Sequence, residues 1–162
     1  MDEYLTKVFQ RLESDGFKVS KDITYGHHRF QYLAKRTRIE ISKFGFIETY
    51  FIFNEYKDSE LSSLHKFSNA CVSYAIERSR IPLPRGFCKG IVCYSVSLID
   101  SVDQATAKAI QTEEPPKHWA TFEIPVVCDL SNRQLHYLEK TPSWGGLYWD
   151  HFRETIRYTL AP

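Results

Sequence analysis

The chain has 162 residues, 43% hydrophobic and 15% aromatic, enough for one well-filled core and too few for two. Its 21 lysines and arginines against 20 acids leave a formal charge of +1, which excludes a whole-molecule field that draws in polyanions. Nothing reaches the ~18 consecutive apolar residues of a membrane helix, and the opening MDEYLTK lacks the basic head and apolar run of a signal peptide, so a cytoplasmic protein is expected.

The four cysteines, Cys71, Cys88, Cys93 and Cys128, form no C-x-x-C and have no histidine at zinc-finger spacing. They read as reduced, buried small hydrophobes, and no metal or cofactor is expected.

In DEYLTKVFQRLESDGF, Tyr4, Leu5, Val8, Phe9 and Leu12 recur at helical spacing, with Asp2 as the expected N-cap and Gly16 as the stop. From Phe17 to Phe53 the period falls to two, interrupted by Gly26 and Gly45, which predicts meandering antiparallel strands. Helical spacing returns through Leu61, Leu64, Phe67, Cys71, Tyr74 and Ala75, with Asp58 or Ser59 as cap, until Pro82 and Pro84 end it.

GIVCYSVSLID and FIETYFIF are apolar on both parities, as strands covered on both faces are. They are expected side by side at the centre, joined by a right-handed crossover through the intervening helix. A short helix around Ala105–Ile110 and the Pro115-Pro116 break precede a hairpin of WATFEIPVVCDL and QLHYLEK. In its first strand Phe122, Ile124, Val126 and Cys128 share the core face, while Thr121, Glu123 and Asp129 share an expected polar face.

The final segment, TPSWGGLYWDHFRETIRY, predicts a helix with Thr141 as N-cap and Pro142 in its first turn. Tyr148, Phe152, Ile156 and Leu160 make its apolar stripe; Asp150, Arg153, Glu154 and Arg157 fall on the other side. Two glycines inside a first turn each cost ~1 kcal/mol against alanine, so Gly145 and Gly146 need a reason. The favoured one is a strand or loop packed under the helix entrance with Trp144 as a lid; the alternative is an anion on the free amides. Trp149 and Arg153, four residues apart, can stack or offer an aromatic anchor to a partner, against the plainer reading of a tryptophan at the core edge.

Catalytic patterns fare poorly. Helix, antiparallel strands, helix, strand is also the order of restriction-endonuclease-like nucleases, and NEYKD supplies Glu55 and Lys57 for Mg²⁺ chemistry. A hairpin turning at Phe44-Gly45 would set Glu55 opposite Lys35, leaving the nearest strand acid, Glu40, ~16 Å away. His27, His28, His65 and His136 read as solvated; His118, bracketed by Lys117 and Trp119, is the one histidine near pocket-forming residues. It lies ~33 Å from Cys128 and Asp129 at the far end of the same strand, so it forms no dyad with them.

Lys35, Arg36, Arg38 and Lys43, with Phe30 or Tyr32, suggest a phosphate-and-base surface, but Glu40 and Glu48 dilute it and a solvated hairpin is the commoner cause. No phosphate-binding glycine loop occurs. The expected fold is therefore a single α+β domain over residues 1–162, with a mostly antiparallel, mixed sheet of about six or seven strands, three main helices and one short one. The expected function is a non-enzymatic module that takes a protein partner or a small molecule, rather than nucleic acid or membrane. Two alternatives are the Glu55/Lys57 nuclease and a small-molecule pocket drawn from the three Trp, ten Tyr and eleven Phe. The site candidates are Trp144, Gly145, Gly146, Trp149, Arg153 and His118; the oligomeric state is left open.

Overall fold

A computed structural model describes residues 2–40, 45–79 and 89–162. Lys43, Phe44, Pro82, Pro84 and Cys88 lie outside the described residues.

Helix α1 (Asp2–Ser14) is followed by β1 (Lys18–Tyr25), β2 (His28–Glu40) and β3 (Gly45–Tyr56), which form an antiparallel meander. Helix α2 (Leu61–Glu77) carries the chain to β4 (Lys89–Ile99), which lies parallel to β3. Helix α3 (Gln104–Thr112) leads to β5 (Thr121–Asp129), parallel to β4; β6 (Gln134–Tyr137) turns back antiparallel, and α4 (Gly146–Leu160) follows. Among the described residues the result is one six-stranded mixed sheet in the order β1-β2-β3-β4-β5-β6, with four helices, an α+β fold.

The helices cover both faces. Leu5, Val8 and Leu12 of α1 and Phe152, Ile156 and Leu160 of α4 pack with Phe51, Tyr94 and Val126 on one side. Phe67, Cys71 and Ala75 of α2 pack with Phe30, Tyr50 and Cys93 on the other, extended by Ile110 of α3 over Val127. Central β4 is buried on both parities, as its uninterrupted apolar run requires.

Several local expectations need correction. Asp2 is itself the first helical residue of α1 rather than its cap. The C-terminal stop holds: Gly16 takes φ +83°, and the Gly16 and Phe17 amides donate to Glu13 and Leu12, a Schellman closure that only a residue free of a β-carbon enters cheaply.

Neither Asp58 nor Ser59 caps α2, whose N-cap is Glu60, without a side-chain cap bond. Ser59 instead donates to Asp103, the residue that caps α3 by accepting from the Thr106 amide at 2.9 Å. Those hydrogen bonds, Ser59's foremost, hold the Asp103 carboxyl well below the usual carboxylate range.

The β2–β3 register also differs, with Lys35 facing Tyr50 and Glu40 facing Gly45. The strands pair so that Ala34 lies opposite Phe51 on the core face.

Thr141-Pro142 does not start α4. The helix begins at Gly146, with Gly145 as N-cap in the left-handed region at φ +67°. Finally, the expected polar face of β5 is buried: Thr121, Glu123 and Asp129 are each no more than 3% exposed, because α2 and α3 cover it.

Candidate functional site

Strand β6 pairs only with Val126–Asp129, so among the described residues no strand pairs with Phe122–Pro125 on that side. Pro125, which has no amide to donate, sits within that stretch. Between this open half-strand, α2, α3 and the chain after α3 lies a cleft of about 510 Å³. Ile110, Pro115, Pro116, Pro125 and Leu138 supply its apolar walls. Glu123 is the polar group set deepest in it, 2% exposed.

A chain of hydrogen bonds runs from the sheet to this carboxylate. Ser95 Oγ on β4 donates to Ser68 Oγ on α2 at 2.8 Å, and Ser68 Oγ donates to Glu123 Oε1 at 2.6 Å. His118 Nε2 meets the other oxygen, Oε2, at 2.6 Å. Cys93 lies opposite Glu123 in the ladder. Burial pushes the Cys71 and Cys93 thiols far above their ordinary range, and the negative charge of Glu123 adds to both shifts. They cannot serve as thiolate nucleophiles at neutral pH.

His118 reaches Glu123 because β5 begins only at Thr121. Ala120 takes φ +50° and His118 bridges Thr121, so the chain before the strand folds back on itself. An extended strand from His118 onward would have pointed the imidazole elsewhere. The expectation that His136 is solvated also fails: it is buried on β6, with no hydrogen-bond partner for Nδ1 among the described residues.

The other sequence candidates lie apart from the cleft. Trp149 is 1% exposed inside the core beneath α4, so it presents no anchor to a partner. Arg153, expected on the polar side, is buried: Nε donates to the Leu138 carbonyl at 3.2 Å, Nη2 to Thr141 at 3.1 Å, and Nη1 to Asp150 at 2.8 Å. Trp144 is half-buried, stacked 5.6 Å from Phe122 and edge-on to Trp149 at 5.9 Å.

The two glycines part company. A β-carbon on Gly145 would lie 2.6 Å from Phe122 Cε1, whereas one on Gly146 would meet Thr141 Cγ2 at 3.5 Å, an ordinary contact. Close packing on the β5 strand therefore accounts for Gly145 and asks nothing of Gly146.

Glu55 and Lys57 are exposed at and beyond the end of β3. Glu40 pairs with Gly45, about ten residues or ~33 Å of strand away. Among the described residues no group of three or more His, Cys, Asp or Glu is placed to hold a metal ion. No described helix is long and apolar enough to cross a membrane.

Of the site candidates the sequence offers, only His118 touches this site, through Glu123 rather than as part of the cleft wall. Glu123 was read as a solvent-facing member of an amphipathic strand, and Ser68 and Ser95 carried no signal of their own. No protein-family model matches the chain, and comparison with curated proteins and with solved structures likewise finds no match.

Proposed function

We propose that the protein is a small-molecule-binding module whose site is the cleft between α2, α3 and the open half of β5. The observation that carries this reading is Glu123, a buried carboxylate on the wall of a mostly apolar cleft, with a hydroxyl and an imidazole as its hydrogen-bond partners. Burying an ionisable group is costly unless it is paired, and such groups gather where ligands are bound or transformed. A volume of about 510 Å³ with apolar walls and a few convergent polar groups suits a compact organic ligand.

The reading keeps the expected ligand-binding role and moves it away from the Trp144–Gly146 entrance of α4. Backbone amide spectra of the full chain, recorded against a library of small organic fragments, test it. Bound fragments are expected to shift the amides of Asn69, Ile110, Glu123 and Leu138. A cavity-filling Ala109→Phe variant should lose those shifts while keeping the rest of its spectrum. Fragments that bind with shifts confined to other surfaces, or binding that Ala109→Phe leaves unaltered, would overturn the assignment.

A further inference from the structure

Resting on the cleft reading above, we infer that the ligand is an organic cation: a protonated amine on a compact apolar body, its ammonium group held by the Glu123 carboxylate. A comparison of two buried glutamates leads there. Glu48, 1% exposed, has an internal counter-ion, for Lys35 Nζ stands 2.7 Å from Oε1 and lies over the Tyr50 ring at 4.9 Å. The charge of Glu48 is thus met by a lysine of the chain itself.

Glu123 is buried as deeply, but its one ion-pair partner among the described residues is His118, which carries a charge only when protonated; no lysine or arginine meets it. A carboxylate offers about four acceptor directions, of which Ser68 and His118 take one each. Glu123 itself lines the cleft. A ligand ammonium there would supply to Glu123 what Lys35 supplies to Glu48.

The rest of the cleft agrees in sign. Glu113 and Glu114 stand at its exposed rim, so three carboxylates face one lysine, Lys66, with His65 beside it on α2. Such a cleft attracts cations and repels phosphates and carboxylates. The apolar walls of Ile110, Pro115, Pro125 and Leu138 offer a sugar or other polyol few donors, and match a hydrocarbon body instead.

Three probes of one shape separate charge from fit: cyclohexylmethylamine, cyclohexylmethanol and cyclohexanecarboxylate, titrated into the full chain and followed by backbone amide shifts. The amine is expected to bind at the cleft at least tenfold more tightly than the alcohol, and the carboxylate not at all. Glu123→Gln should bring the amine down to the affinity of the alcohol. Equal binding of amine and alcohol, or amine binding untouched by Glu123→Gln, would overturn the cation assignment and leave the cleft standing as a binding site. If none of the three shifts the cleft amides while other library fragments do, the cation assignment is overturned alone; if nothing at all binds there, the binding-module reading falls as well. Should Glu123→Gln fail to fold, the double variant Glu113→Gln/Glu114→Gln takes its place. It should weaken the amine two- to fivefold, and added salt should weaken the wild type; if neither happens, the assignment is wrong.

Discussion

Gly145 lies against the Cε1–Cζ edge of Phe122, so close that a β-carbon there would come within 2.6 Å of the ring, while its backbone sits at φ +67°. The ring cannot step aside, because Trp144, Tyr148 and Phe152 surround it. Gly145→Ala therefore combines overpacking with left-handed strain, and a loss of about 2–4 kcal/mol is expected in urea denaturation. Gly146→Ala meets only an ordinary contact and gains helix propensity, so it should be neutral or stabilising by up to ~1 kcal/mol. Equal effects at the two positions would show that the helix entrance is packed differently.

The apolar stripe of α4 is a second point of test. Phe152 is buried edge-on against Tyr94, Phe122 and Trp149, and Ile156 is 1% exposed. Truncation of either to alanine should cost ~2–5 kcal/mol. Glu154→Ala, on the exposed side, should stay within ~0.5 kcal/mol. Unchanged denaturation midpoints for Phe152→Ala and Ile156→Ala would remove α4 from the core.

The two buried glutamates should respond in opposite directions to the same isosteric change. Glu48→Gln leaves Lys35 half-sheltered without its partner and should lower stability by ~1–3 kcal/mol. Glu123→Gln removes a buried carboxylate that has only His118, charged only when protonated, as ion-pair partner, keeps an acceptor for Ser68 and offers His118 an amide; it should hold or raise the melting temperature. A marked drop for Glu123→Gln would mean that the carboxylate is a structural requirement.

Asp129 sets the expected acid response of the β5–β6 turn. Burial pushes its carboxyl up, but hydrogen bonds from the Asn132 side chain and amide and from the Val102 amide outweigh it, and the net shift is downward. With its folded value below an unfolded value of ~3.9, Asp129 stabilises the fold fully above that value, and the contribution is lost as pH falls through the folded value. Asp129→Asn should therefore be destabilised against wild type at pH 7, with the gap narrowing toward pH 2. A gap that stays constant over that range would show that the carboxylate charge plays no part.

Much of the architecture was readable because strand and helix periods differ: the meander, the parallel pairing of β3 with β4 and the α4 stripe all follow from where apolar residues recur. The site was not readable, and for a specific reason. A glutamate alternating with Phe122 and Ile124 looks solvent-facing unless something is known to cover its side. Two crossovers of one hand would set α2 and α3 on a common face over β5, a deduction available from the handedness rule and not from the strand itself. His118 was missed as a partner because the positive φ at Ala120 turns the chain, and alanine carries no mark of such a turn. Arg153 was placed in solvent by its charge, whereas its fork reaches the Leu138 carbonyl and Thr141.

The sheet has one further consequence, for how it assembles. Every strand lies beside its predecessor and its successor in the chain, so no strand has to be inserted between two that have already paired. Growth can proceed from the β3–β4 pair outward in both directions, each addition closing only the loop or helix that leads to it. Unfolding can retrace that path from the rims, which orders the expected hydrogen-exchange protection: lowest in β1 and β6, rising inward, and greatest in β4, whose amides become accessible only after both flanks have peeled away.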